Sequence, residues 1–133
     1  MNTVYAREDY LGADEYIDVV RKSGLNRPVE DRARVERMLA HANLILTARQ
    51  DGRLVGFARS LTDFSFCCYL SDLAVDKACQ GQGIGKRLIE ETRTAAGGTL
   101  TTTLLLSAPT AMTYYQGIKM PQADNCFLYR RER

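Results

Sequence analysis

The run Gln80-Gly81-Gln82-Gly83-Ile84-Gly85-Lys86 constrains this chain more than any other stretch. It lies between a β-rich segment, Tyr69-Leu70-Ser71-Asp72-Leu73-Ala74-Val75, and a helix-forming one, Lys86-Arg87-Leu88-Ile89. A strand must turn sharply into a helix here, and the glycines let the backbone do so and approach a ligand without a Cβ in the way. The start of the helix presents unpaired N–H groups and the positive end of its dipole. An anion is the natural guest, and a phosphate or pyrophosphate fits best.

Two common phosphate loops fail on the residues. The P-loop needs G-x-x-x-x-G-K-[ST], but position 80 is Gln and Lys86 is followed by Arg87. The dinucleotide fingerprint G-x-G-x-x-G needs a third glycine at Lys86 or Leu88. A third pattern, Q/R-x-x-G-x-G/A, is satisfied by Gln80, Gly83 and Gly85.

The rest of the chain alternates helix and strand signals. Thr3–Arg7 reads as a short first strand. Tyr16, Ile17 and Val20 have helical spacing that ends near Ser23-Gly24, and a second helix runs from about Asp31 to His41. Leu44–Arg49 and Arg53–Ser60 read as strands joined at Asp51-Gly52, a two-residue hairpin turn. A loop is expected at Leu61–Ser65 and a longer strand at Phe66–Val75. After the glycine turn comes a helix to about Ala96, closed by Gly97-Gly98. Thr101–Leu106 reads as a strand buried on both faces, Pro109 opens a short helix ending near Gly117, and Asn125–Arg130 reads as a last strand. The expectation is one α+β domain over residues 1–133, built around one sheet.

Composition removes several function classes. A chain of 133 residues with 45% hydrophobic and 26% charged content has enough mass for a core without disulfides or metal. The net charge of +2 does not suggest nucleic acid, and the three arginines near the C-terminus, Arg130, Arg131 and Arg133, are weak evidence for it. No apolar run approaches a membrane span, and the first residues lack a secretory signal, so no membrane partner and a cytoplasmic location are expected. Cys67, Cys68, Cys79 and Cys126 make no C-x-x-C pair and His41 is the single histidine, so no metal site is expected. Cys67 and Cys68 should face opposite ways on their strand. The acidic stretch from Glu8 to Asp18 and the basic one from Arg21 to Arg37 read as solvated helix faces, or as a charged ligand's entrance.

The loop, its strand and its helix resemble the GNAT superfamily of acetyl-CoA-dependent N-acyltransferases. Ala111-Met112-Thr113-Tyr114-Tyr115-Gln116-Gly117-Ile118 is similar to that family's A-x-x-[FY]-Y-x-x-[LI]-G-F, and Gly52–Arg59 to its hairpin. The likeness spans roughly residues 44–129. It departs at Ala108, where relatives often carry Asn, and at Lys119-Met120, where they carry Gly-Phe.

The resemblance implies a mixed, splayed β-sheet flanked by helices, with acetyl-CoA as cosubstrate. Pantetheine would lie along main-chain groups of Leu73, Ala74 and Val75, and the pyrophosphate on Gln80, Gly81, Gln82, Gly83, Ile84, Gly85 and Lys86. The Leu73 N–H would face the acetyl carbonyl, and Tyr115 would protonate the departing thiolate. Tyr114 reads as packing. Positions matching the bases of relatives are Tyr69 and Ser71, neither a good base, so direct attack by neutral amine or a water relay near Ser71 is expected. Asp72 points to the other face by strict alternation and reads as a backbone anchor, although a bulge could re-aim it. Arg59 and Asp63 read as exposed loop charges or as charge-recognising groups. The acceptor is a small-molecule or peptide amine of unspecified kind, and a homodimer is implied. A non-catalytic acyl-CoA-binding module and a different acyl donor remain open alternatives.

Overall fold

Asp51 and Gly52 take positive φ, 51° and 79°, the backbone that a tight hairpin requires. They join β2 (Leu44–Gln50) to β3 (Arg53–Thr62). β4 (Cys67–Val75) pairs antiparallel with β3, and β1 (Val4–Arg7) pairs antiparallel with β2. β5 (Thr102–Leu104) lies parallel to the start of β4, giving the order β1-β2-β3-β4-β5. The structure, a computed structural model, describes residues 2–133.

Helices cover both faces of the sheet. α1 (Ala13–Ser23) buries Tyr16, Val19 and Val20, spaced for one helical stripe, and stops at Gly24 with φ 82°. α2 (Arg32–His41) starts at Asp31, whose carboxylate accepts the Arg34 N–H at 3.1 Å. Its Val35 and Leu39 join the α1 residues, Ile45, Leu54, Phe57 and Ala74 in one core. On the opposite face α3 (Ile84–Ala95) packs Ile84, Leu88 and Ile89 onto Leu44, Leu46, Val55, Ala58, Cys68 and Leu70. A short α4 (Met112–Gly117) follows β5. Cys67 is exposed and Cys68 buried, as their adjacency on a strand requires.

β4 changes sides partway along. Cys68 and Leu70 pack toward α3, whereas Ala74 packs toward α1 and α2. Strict alternation would keep all three on one face. The register with β3 explains the switch: Arg59 is opposite Asp72 and Ser60 is opposite Leu70, which makes Ser71 an extra residue. Such a bulge reverses the parity of everything after it. Asp72 therefore reaches α1, where the Tyr16 hydroxyl donates to its Oδ2 at 2.7 Å.

Two arginines complete this contact. Arg59 Nε donates to Asp72 Oδ2 and Arg27 Nε to Oδ1, each at 2.6 Å. Asp72 is fully buried. Burial works against its ionisation, yet the Arg59 and Arg27 guanidiniums and the Tyr16 hydroxyl hold its carboxyl below the usual range. Arg59 is thus a buried strand residue, not an exposed loop charge. Asp63 closes the β3–β4 turn by accepting the N–H groups of Ser65, Phe66 and Cys67, which lowers its carboxyl to about 2.

Three expectations from the sequence are corrected. β3 continues to Thr62, so the loop is shorter than Leu61–Ser65. The strand expected at Thr101–Leu106 is only Thr102–Leu104, and it is not buried on both faces, since Leu104 and Leu106 are 46% and 44% exposed. β5 pairs on one side only, so its outer edge has no strand partner among the described residues. No strand forms at Asn125–Arg130, where Phe127 and Tyr129 are fully exposed. Their β-favouring side chains describe a half-buried surface that this segment does not find, because no neighbouring strand supplies a hydrogen-bond partner.

Asp72→Asn should lower stability by about 3–5 kcal/mol, because it leaves guanidiniums without their anion. Urea denaturation checks this, and a loss under 1 kcal/mol would contradict the account. The pH dependence has a definite sign. The folded carboxyl titrates below the unfolded one, so its contribution is full above about pH 4 and is lost as pH falls through the depressed folded value.

Candidate active site

The sheet parts beside the bulge. β5 contacts β4 only at Cys67, Cys68 and Tyr69. From Leu70 to Val75 the β5 side of β4 has no strand partner among the described residues. In an antiparallel pair alternate residues turn their N–H and C=O away from the partner. Within Leu73–Val75, paired with Ala58–Gly56 on β3, the outward groups therefore open into the gap. One of the strand's last acceptors is taken: the Val75 carbonyl receives Gln80 Nε2 at 3.0 Å.

The strand runs straight into the glycine turn. Asp76 Oδ1 accepts the Ala78 N–H at 2.9 Å and shapes a single 3₁₀ turn. Gly81 and Gly83 then take φ of 82° and 80°, values that side chains resist. The first helical bond of α3 runs from the Arg87 N–H to the Gly83 carbonyl at 3.1 Å. The amides before it lack helical partners and gather at the positive end of a helix of 12 residues. A Cβ at Gly81 or Gly83 would meet nothing within 4 Å, so both face open space. The loop is braced from β2, where Gln50 Nε2 donates to Gln82 Oε1 at 3.3 Å.

α4 brings two tyrosines over this region. Their rings meet edge to face with centroids 5.2 Å apart. Tyr115 packs against the α3-side core, and burial pushes its phenol up from the ordinary value, with Tyr114 adding and Arg27 opposing. Tyr114 packs as expected, and closely: its hydroxyl occupies the space that a Cβ on Gly85 would need. The sequence carried no signal for this second phenol at the loop. Arg27, the single basic residue between α1 and α2, was marked only as part of the Arg21–Arg37 basic stretch, with no sign of its bond to Asp72. Ser71 sits at the bulge with its hydroxyl accepting from Arg59 Nη2 at 3.0 Å and donating to Asp72 Oδ1 at 3.2 Å. Leu73, Ala74, Val75 and the Gln80–Lys86 loop are thus contiguous, and Ser71 lies two residues before Leu73.

A parted strand edge that feeds a glycine-rich helix start is the arrangement of the GNAT acetyltransferases, and the chain belongs to that family. The profile of the acetyltransferase (GNAT) domain matches residues 16–118. A Staphylococcus aureus protein of unknown function, called a probable acetyltransferase, superposes with a TM-score of 0.80 at 18% identity, covering 98% of this chain and 99% of that one. The aminoglycoside N-acetyltransferase AAC(6')-Iy, solved in complex with CoA, superposes at 0.71 with 15% identity, covering 99% and 96%. At these identities the likeness is one of fold. The Arabidopsis thaliana GCN5-related N-acetyltransferase 2, chloroplastic, is 42% identical over 43 residues, which are 32% of this chain and 17% of that protein. The chain thus matches about a sixth of that relative's length.

Gly83→Val should abolish CoA binding in a protein that still folds. The new Cβ meets no protein atom within 4 Å, so the main cost to folding is the strain of a positive φ, about 1–2 kcal/mol, while the side chain takes up space in front of the loop amides. Gly85→Ala should displace the Tyr114 ring and weaken CoA less. Calorimetric titration checks both, and wild-type affinity in Gly83→Val would remove the loop from cofactor binding.

Proposed function

We propose that this chain transfers the acetyl group of acetyl-CoA to a primary amine by direct attack in a ternary complex. The observation that carries the reading is that the open Leu73–Val75 edge leads into the Gln80–Lys86 turn, whose amides from Gly81 on lack helical partners. Pantetheine lies along the edge, and the pyrophosphate caps α3. The amine lone pair attacks the thioester carbonyl carbon. The oxygen gains charge facing the Leu73 N–H, and the C–S bond then breaks. The thiolate takes the Tyr115 proton, and the nitrogen loses its extra proton to water held at Ser71, whose oxygen keeps one free lone pair.

Asp72 is not the base. Its carboxylate is buried and already holds two guanidiniums and two hydroxyls. The reaction therefore draws on the neutral fraction of the amine. The acceptor in this reading is a small-molecule or peptide amine. The unpaired β5 edge and the exposed Leu104 and Leu106 support pairing of two copies there. Light scattering should give twice the 14.9 kDa chain mass, and a monomer at high concentration would refute it.

Tyr115→Phe should lower kcat by about 10²–10³-fold with little change in CoA affinity. The hydroxyl acts mainly as the thiolate departs, and general acid catalysis is typically worth about 10²–10⁴-fold. Steady-state thiol release beside CoA titration checks this. An unchanged kcat would make Tyr115 a packing residue. No thiol release from wild type with any amine, despite CoA binding, would favour the non-catalytic acyl-CoA-binding module.

A further inference from the structure

The Asp72 cluster does not balance its charge. One carboxylate faces two guanidiniums, so the group carries a formal charge of +1. Arg59 is enclosed, with its side chain 8% exposed, whereas the Arg27 side chain is 22% exposed. Arg27 is therefore the guanidinium through which the cluster's excess charge reaches solvent.

Its hydrogen bonds leave it room to act. Nε donates to Asp72 Oδ1 at 2.6 Å, Nη1 to the Asn26 carbonyl at 2.7 Å and Nη2 to the Ser71 carbonyl at 2.6 Å. A guanidinium has five N–H bonds, so one remains on each Nη for an anionic ligand. The bond to Ser71 fixes its position, two residues from Leu73 and hence about 7 Å along the strand. The same bond ties it to the main chain of the strand that carries Leu73, and its charge reaches the Tyr115 phenol, opposing the upward push of burial.

Building on the acetyl-transfer reading, we propose that Arg27 selects the acceptor by binding a carboxylate adjacent to the reacting amine, so that the acceptor class is an amino acid. A positive charge here attracts the carboxylate and repels polycationic amines. It also favours the neutral form of the attacking nitrogen, which a site with no carboxylate base needs. Three of Arg27's bonds already hold the protein together, so the competing possibility is that it only neutralises Asp72.

The test is acetyl-CoA-dependent thiol release on matched pairs, each an amino acid and its decarboxylated amine, such as phenylalanine with phenethylamine and ornithine with putrescine. Wild type should favour the carboxylated member by at least about tenfold in kcat/KM, the scale of one charge-assisted contact. Arg27→Gln should erase that preference, mainly through KM, and Arg27→Lys should restore part of it, with CoA affinity unchanged in both. Equal or better turnover of the decarboxylated amines by wild type would overturn the proposal and leave acetyl transfer standing. So would a loss in Arg27→Gln that falls equally on both members of each pair. Thiol release with none of the amines, from protein that binds CoA, would remove the transfer reading and this proposal with it.

Discussion

The structure turns on one carboxylate. Asp72 joins α1 through Tyr16, the α1–α2 connection through Arg27 and β3 through Arg59. A buried ion cluster of this kind adds little net stability over a well-packed apolar one, because desolvation offsets the attraction. Its value lies in register. Only with Ser71 bulged out does Asp72 meet its three partners, and any other pairing of β4 with β3 would bury the carboxylate without them. The cluster thereby penalises a one-residue slip that would otherwise reverse the faces of the strand.

From that pinned register the site follows. With parity reversed at Ser71, Ala74 faces the α1–α2 core, while Leu73 and Val75 face the α3 side. The strand then leads its free edge into the turn at Gln80, and Gly83 sets the first residue of α3. β5 leaves β4 after Tyr69, before this stretch begins. Strand edge and helix start are near neighbours in the chain, while Tyr115 comes from α4 and packs against the same α3-side core as Leu73 and Val75.

Much of this could be read from residue types. The hairpin at Asp51-Gly52, the helix stop at Gly24 and the strand-to-helix turn at Gly81–Gly85 are local, fixed by backbone freedom that few residues other than glycine have. The spacing of Tyr16, Ile17 and Val20 marked α1 because burial follows helical periodicity, although the buried stripe holds Val19 where Ile17 was expected. The rest depended on partners that composition does not name. Thr101–Leu106 and Asn125–Arg130 have strand-like side chains, but a strand exists only where another accepts its hydrogen bonds. Arg59 and Arg27 looked like ordinary surface cations, because nothing near either in sequence announces a carboxylate 13 or 45 residues away. The bulge at Ser71 was equally silent, since Leu70, Ser71 and Asp72 fit an unbroken strand as well as a bulged one.

The central claim is that one continuous main-chain surface, from the open edge of β4 to the start of α3, receives the cosubstrate. Amide chemical shifts of the isotope-labelled protein, followed while CoA is added, test it residue by residue. The account predicts saturable shifts at the amides of Leu73, Ala74 and Val75 together with those of Gly81 to Lys86, and little change in β1 or α2. Shifts confined to other surfaces, or none at saturating CoA, would contradict it.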